Sequence, residues 1–211
     1  MGYTKAEILK ALKGENVKFL RLQITDILGV VVERASGLSL DEFLRRRILE
    51  PLRMNDTHFY LPPAKRDRLA TVYARTDSLG ITRVPDGGKW TGQGDYVDGP
   101  RTSFSGGAGL LSTAGDYLRF LQMLANGGEL DGVRVLGPKT VQLLSADALA
   151  GTEHPLGRGA GFGLGFQVAT ELGPSGEPGS VGTLSWSGIY GTMFWADPEE
   201  QLIGIVMLQR F

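Results

Sequence analysis

The spacing of apolar positions changes several times along the chain, and each change predicts an element. After Thr4-Lys5-Ala6-Glu7, the residues Ile8, Leu9 and Leu12 recur at helical intervals. The Thr hydroxyl can accept from one free N–H of a first helical turn while the Glu side chain reaches back to another. Gly14 is placed to end that helix. Leu20, Leu22 and Ile24 then alternate with Arg21 and Gln23, the period of a half-buried strand. Residues 26–29 read as a turn and 30–32 as a returning strand, so the start predicts helix, strand, turn, strand.

Helical spacing returns at Ser39-Leu40-Asp41-Glu42, a second capping box. Its helix would present Leu40, Phe43, Leu44 and Ile48 on one face and stop at Pro51. Residues 55–101 are rich in Pro, Gly, Asp and Thr and predict long ordered loops, with a short helix near 63–69. Thr113 heads a helix with Tyr117, Phe120, Leu121 and Leu124 on one face, closed by Asn126-Gly127-Gly128. Pro138 suits the first position of a further helix carrying Val141 and Leu144. From Gly161 alternation takes over: Phe162, Leu164, Phe166 and Val168, then strands over 181–186, 190–196 and 202–208. The last of these is apolar on both faces, the pattern of a central strand. Asp197-Pro198-Glu199-Glu200 before it reads as a turn with Pro at its favoured second position. The fold class that follows is α+β: an antiparallel sheet flanked by helices, with a middle rich in helix and loop.

Composition narrows the function classes. The 211 residues carry a net charge of −1, which gives no electrostatic reason to expect nucleic acid or an anionic membrane as partner. No stretch approaches the roughly 20 apolar residues that span a bilayer. The opening residues have charges where a signal peptide needs an apolar run. There are no cysteines, so disulfides, thiolate metal sites and a cysteine nucleophile are excluded. The expectation is a soluble, cytoplasmic protein.

Several stretches, in order, resemble one family. They are Val32-Glu33-Arg34-Ala35-Ser36-Gly37, then Leu49-Glu50-Pro51-Leu52 with Met54 and Asp56-Thr57. Ser105-Gly106-Gly107-Ala108-Gly109-Leu110-Leu111-Ser112-Thr113 follows. Gly161-Phe162-Gly163-Leu164-Gly165-Phe166 and Ser185-Trp186-Ser187-Gly188 complete the set. Together they resemble β-lactamase-fold serine hydrolases close to class C β-lactamases, penicillin-binding proteins and the esterases related to them. Residues 16–29, Asn-Val-Lys-Phe-Leu-Arg-Leu-Gln-Ile-Thr-Asp-Ile-Leu-Gly, instead resemble the extreme N-terminus of glutamine synthetase, although none of that enzyme's ATP, metal or glutamate motifs follow. The organisation expected is a glutamine-synthetase-like helix and hairpin at 1–31 that completes the sheet, a helix- and loop-rich part at 32–160, and a sheet part at 161–211.

The hydrolase resemblance implies acyl transfer through a serine ester, assembled from three elements. A Ser-x-x-Lys pair on a helix sets nucleophile and ammonium one turn apart. A Tyr-x-Asn segment relays protons, and a strand-edge triad lines the pocket and helps bind the oxyanion. No serine here has a lysine three positions on, and no tyrosine has an asparagine two positions on. In the family both motifs precede the segment that begins at Val32. The third element is present as Trp186-Ser187-Gly188, the Trp-x-Gly form of the esterase branch. These three are the expected substrate-binding residues, and no catalytic residue is assigned. Ser187 also reads as a strand-end serine bonded to backbone, and Trp186 also as core. His58 and His154, the only histidines, read as ordinary surface residues in loops. No Gly-x-Ser-x-Gly elbow, metal-ligand cluster or phosphate loop occurs, and no cofactor is expected. The function expected is that of a truncated, catalytically inactive esterase-like hydrolase with a residual cleft for a small ester or acyl ligand. The alternatives are a residual hydrolase using another serine or a complementing fragment, and a non-enzymatic chimera. The missing nucleophile region and the stop at Phe211, where the family runs on into a helix over the sheet, predict leftover apolar surface and a homodimer, with segments exchanged in one version.

Overall fold

A computed structural model describes residues 27–76, 80–85, 104–107, 109–151, 157–173 and 179–210. The expected helix over 4–13, the strand over 17–25 and their packing on the sheet lie outside the described residues.

The first described element is a helix, α1 (Ile27–Ser36), where the sequence pattern predicts a turn followed by a strand at 30–32. A short run of β-branched residues fits either period, and Leu28, Val31, Val32 and Ala35 are also spaced three and four apart. Close packing favours the helix. A Cβ on Gly29 would stand 3.2 Å from Leu40 Cδ2 and 3.4 Å from the Gly106 amide nitrogen, so a bare helical position is pressed against two other segments. Gly37 ends α1 at φ 72°, and its N–H donates to the Glu33 carbonyl.

The expected capping box at Ser39 does not form. Ser39 holds the N-cap position without a side-chain bond. The carboxylate of Glu33, one helix earlier, accepts from the Leu40 N–H instead, at 2.9 Å. From there α2 (Leu40–Leu44) runs directly into a π-helical turn at Arg45–Leu49. The chain reverses just after Pro51, with Arg53 at φ 54°, and Met54 N–H returns to the Leu49 carbonyl. A 3₁₀ helix at Pro63–Arg68 matches the short helix expected there. Two small hairpins escape the sequence pattern: β1 (Tyr73–Arg75) with β2 (Ile81–Arg83), and β3 (Glu129–Leu130) with β4 (Val133–Arg134). At two or three residues each, they are too short to show alternation.

The central helix α3 (Ala114–Ala125) is capped as predicted: the Thr113 hydroxyl accepts from Asp116 N–H at 3.2 Å. It buries Leu121, Met123 and Leu124, and Met123 and Leu124 form one cluster with Leu52 and Met54. Helix α4 (Pro138–Leu144) packs Val141 and Leu144 against that cluster.

The sheet is antiparallel, with five strands in sequence order: β5 (Ala160–Phe162), β6 (Gln167–Ala169), β7 (Leu184–Ser187), β8 (Thr192–Asp197) and β9 (Leu202–Met207). The alternation over 162–168 is therefore not one strand. It is two strands and the turn between them, with Phe162 opposite Gln167 and Gly163 N–H bonded to the Phe166 carbonyl. Glycine alternates with apolar residues here because a Cβ on Gly163 would stand 2.0 Å from the Leu144 carbonyl oxygen at the end of α4. Strand β9, expected to be central, is the outermost strand among the described residues. Phe194 and Ala196 of β8 are buried on the face toward α3, with the Tyr117 and Phe194 rings 5.3 Å apart. Met193 and Trp195 face the other way and are exposed, and the Trp195 indole lies over Gly204.

The β8–β9 turn is held by one carboxylate. Asp197 accepts from Ser180, Glu199 and Glu200 N–H at 2.8 to 3.0 Å. These bonds, that from Glu200 foremost, lower its pKa to about 2 against the opposing effect of burial. A depressed acid stabilises the fold above its unfolded pKa and stops doing so as pH falls through the folded value. Asp197→Asn is therefore expected to lower stability at pH 7. Urea unfolding of variant and parent should converge as pH falls from about 4 toward 2. Arg53→Gly is expected to raise stability by about 1 kcal/mol, because only glycine adopts positive φ without steric cost. Thermal unfolding of the single variant reads that gain directly.

Candidate active site

Trp186-Ser187-Gly188 sits where β7 outruns its neighbour. Strand β6 ends its pairing at Gln167, opposite Ser185. On the other side β8 continues, with Phe194 opposite Trp186 and Met193 opposite Ser187. Gly188 N–H donates to the Thr192 carbonyl at 2.7 Å, and Gly191 N–H closes the turn onto the Gly188 carbonyl at 3.0 Å. Backbone groups alternate sides along an antiparallel strand. Since Gly188 bonds toward β8, the Ser187 amide and carbonyl turn to the side that β6 has left.

Side chains alternate as well. Trp186 shares the helix-ward face with Phe194 and is 43% exposed, its ring edge-to-face with Phe162 at 5.1 Å. The Ser187 side chain lies on the opposite face, beside Met193, and is exposed. Gly188 leaves no room for a side chain, since a Cβ would stand 2.4 Å from Thr192 Oγ1. So the indole and the free backbone edge are presented at one place, and the hydroxyl points away from the indole. Among the described residues no base hydrogen-bonds the Ser187 hydroxyl. No charged residue or histidine occurs over 179–196 or 159–170, and the nearest described carboxylate to this wall, Asp147, accepts from the Phe162 N–H at 3.0 Å. Phe162 belongs to this wall, and the sequence offers it only as part of an alternating, glycine-rich stretch and not as a site residue. The turn at 163–166 brings it back beside β7.

Behind α3, on its Tyr117 side, burial pushes that phenol up to about 12. At the start of α3 a polar network ties the preceding loop down. Asp116 accepts from Asp56 N–H at 2.7 Å and from Thr57 Oγ1 at 2.9 Å, and Thr57 Oγ1 also meets Ser112 Oγ at 2.8 Å. Asp56 takes a two-point contact from Arg68 at 2.8 and 2.9 Å and an ion pair from Lys65 at 2.8 Å. Arg68, then Lys65, hold its carboxyl well below the usual carboxylate range. His58 is not an ordinary surface histidine. It is half-buried, its Nε2 accepts from Lys65 Nζ at 3.0 Å, and its backbone pairs with Leu111. Burial first, then the Lys65 charge, lower its pKa. The signal for this network was present in the Asp56-Thr57 motif, but its partners stand nine to sixty residues away. His154 lies outside the described residues. Among the described residues no three of His, Asp and Glu converge on a metal position, and no helix is long and apolar enough to cross a membrane.

A helix-flanked antiparallel sheet of this order is that of the β-lactamase and transpeptidase type. The chain belongs to the beta-lactamase family, whose model matches residues 3–211. Protein Rv1367c of Mycobacterium tuberculosis is 37% identical over 202 residues, covering 88% of this chain and 47% of that protein. Esterase EstB of Burkholderia gladioli is 34% identical over 188 residues, covering 82% and 44% respectively. Among solved structures, EstCE1, a hydrolase with promiscuous acyltransferase activity, superposes with a TM-score of 0.76 at 27% identity over 88% of this chain and 49% of that one. The chain thus spans about half the length of the relatives it matches.

The network predicts its own sensitivity. Asp116→Ala leaves the Asp56 amide and the Thr57 hydroxyl without their shared acceptor, and should cost about 1–3 kcal/mol. Urea denaturation checks this, with Asp67→Ala, on the exposed 3₁₀ helix, as the unchanged control.

Proposed function

We propose that this chain is the pocket-bearing portion of an esterase-like serine hydrolase and does not itself turn over esters or β-lactams. The observation that carries this is chemical. The Trp-x-Gly edge lies at the end of β7, yet Ser187 turns away from the indole and, among the described residues, bonds no base. An unactivated hydroxyl is a poor nucleophile near neutral pH. The ligand class is a small, uncharged ester or acyl group resting on Trp186 and Phe162, since these rings are apolar and the strands that carry them have no charged residue over 159–170 and 179–196. Two relatives support the ester assignment by name, EstB and the lovastatin esterase of Penicillium rubens, the latter 32% identical over 206 residues.

In this reading the nucleophile region has been lost. It is supported by the absence of Ser-x-x-Lys and Tyr-x-Asn and by the half-length coverage of the relatives. The wording of residues 16–29 supports a join to a glutamine-synthetase-like segment near 29–32. Exposed Met193, Trp195 and Leu202 support a homodimer through the outer face of the sheet. The lack of cysteine supports a cytoplasmic setting.

The test is a serine-reactive fluorophosphonate followed by mass spectrometry, beside an assay with a p-nitrophenyl ester. No serine should be labelled and hydrolysis should not saturate. A non-hydrolysable acyl ligand should quench tryptophan fluorescence, and Trp186→Ala should remove the quenching. Saturable hydrolysis abolished by Ser187→Ala would overturn the proposal.

A further inference from the structure

The Lys65 ammonium sits against three acceptors of one loop. Its Nζ donates to the Asn55 carbonyl at 2.6 Å and to His58 Nε2 at 3.0 Å, and pairs with Asp56 Oδ1 at 2.8 Å. An ammonium has three donors, so the set is complete. The carbonyl and the carboxylate stay acceptors near neutral pH, but an imidazole nitrogen accepts only while the ring is neutral. The His58 backbone is fixed, since its N–H donates to the Leu111 carbonyl at 2.9 Å and its carbonyl accepts from Leu111 N–H at 2.8 Å. Lys65 is the more movable partner. It lies on the 3₁₀ helix Pro63–Arg68, and its side chain is 28% exposed. The same helix is tied to the loop a second time, by Arg68 on Asp56.

We infer that His58 and Lys65 form an acid-released latch: a proton taken up at His58 Nε2 expels the Lys65 ammonium and loosens the 3₁₀ helix from the loop at 55–58. The incoming proton occupies the lone pair that Lys65 was using, and leaves two cations where one hydrogen bond stood. Among the described residues, the charged groups that face the ring are Lys65 from the 3₁₀ helix, Asp56 from its own loop and Asp116 from α3. Both acids are already engaged. Asp116 accepts from the Asp56 amide and the Thr57 hydroxyl, and Asp56 from Arg68. Burial first, then the Lys65 charge, prevail over them and hold the imidazole below its ordinary value of 6.5. The unfolded chain therefore takes the proton more readily than the folded one. The stability contributed by the latch is complete above that ordinary value and is lost as pH falls through the lower, folded one. Arg68 remains on Asp56 after release, so the segment is loosened rather than detached.

The sequence has two histidines, so His154→Asn leaves a single imidazole to follow by proton NMR. Its signal should titrate below 6.5, and adding Lys65→Met should move the midpoint upward. Hydrogen exchange is read at the Lys65 and Leu69 amides, which bond to the Pro62 and Arg66 carbonyls. Corrected for its intrinsic pH dependence, it should quicken about threefold or more between about pH 7.5 and about pH 5. The buried Leu121, Met123 and Leu124 of α3 are the internal control, and their amides should not follow. His58→Gln offers Lys65 a carbonyl oxygen that does not titrate. It should keep the protection seen at the higher pH and abolish the acid step. Loss of protection at both pH values in His58→Gln would assign the histidine a purely structural role and overturn the inference. An acid step that persists in His58→Gln would overturn it too, as would a midpoint that Lys65→Met leaves in place. Corrected exchange that stays level in the parent while His58 titrates would do the same.

Discussion

The aromatic contact between Tyr117 and Phe194 orders most of what lies around it. It joins the helical and sheet parts of the molecule, and Phe166 approaches the same ring edge-on at 5.9 Å. Once Phe194 points toward α3, strand alternation leaves no freedom in the neighbours. Trp186, opposite it, must face the helices, while Ser187 and Met193 must face away. A slip of one residue would exchange indole and hydroxyl and expose Phe194. The register of the candidate site is thus fixed by burial several ångströms away from it.

Local chemistry was legible where it is local. Thr113 caps its helix and Pro138 opens another, as the sequence alone implies. The turn at Asp197-Pro198 was also readable, although the role of its carboxylate as a triple acceptor was not. The failures share a cause. The helix at Ile27–Ser36, the Glu33 cap on α2 and the turn at 163–166 depend on which group from another element meets a glycine or a free N–H. No periodicity encodes that. At the site, Trp186-Ser187-Gly188 was legible as a motif. The division of its side chains between two faces needed the pairing with β8, and Phe162 needed the reversal of the preceding hairpin.

The Trp186 and Phe162 rings present an apolar wall at the end of β7. An indole and a free strand edge can hold an uncharged acyl group by contact and a hydrogen bond. Neither an indole nor a backbone amide is a general base near neutral pH, so any proton transfer at this edge needs a further side chain.

Tyr117 shows what burial does to an acid in this packing. A phenol pushed up to about 12 stays protonated at neutral pH. Moving it toward water to restore its acidity would break the ring contact that sets the register of β8. The same tyrosine therefore trades acidity for structural order.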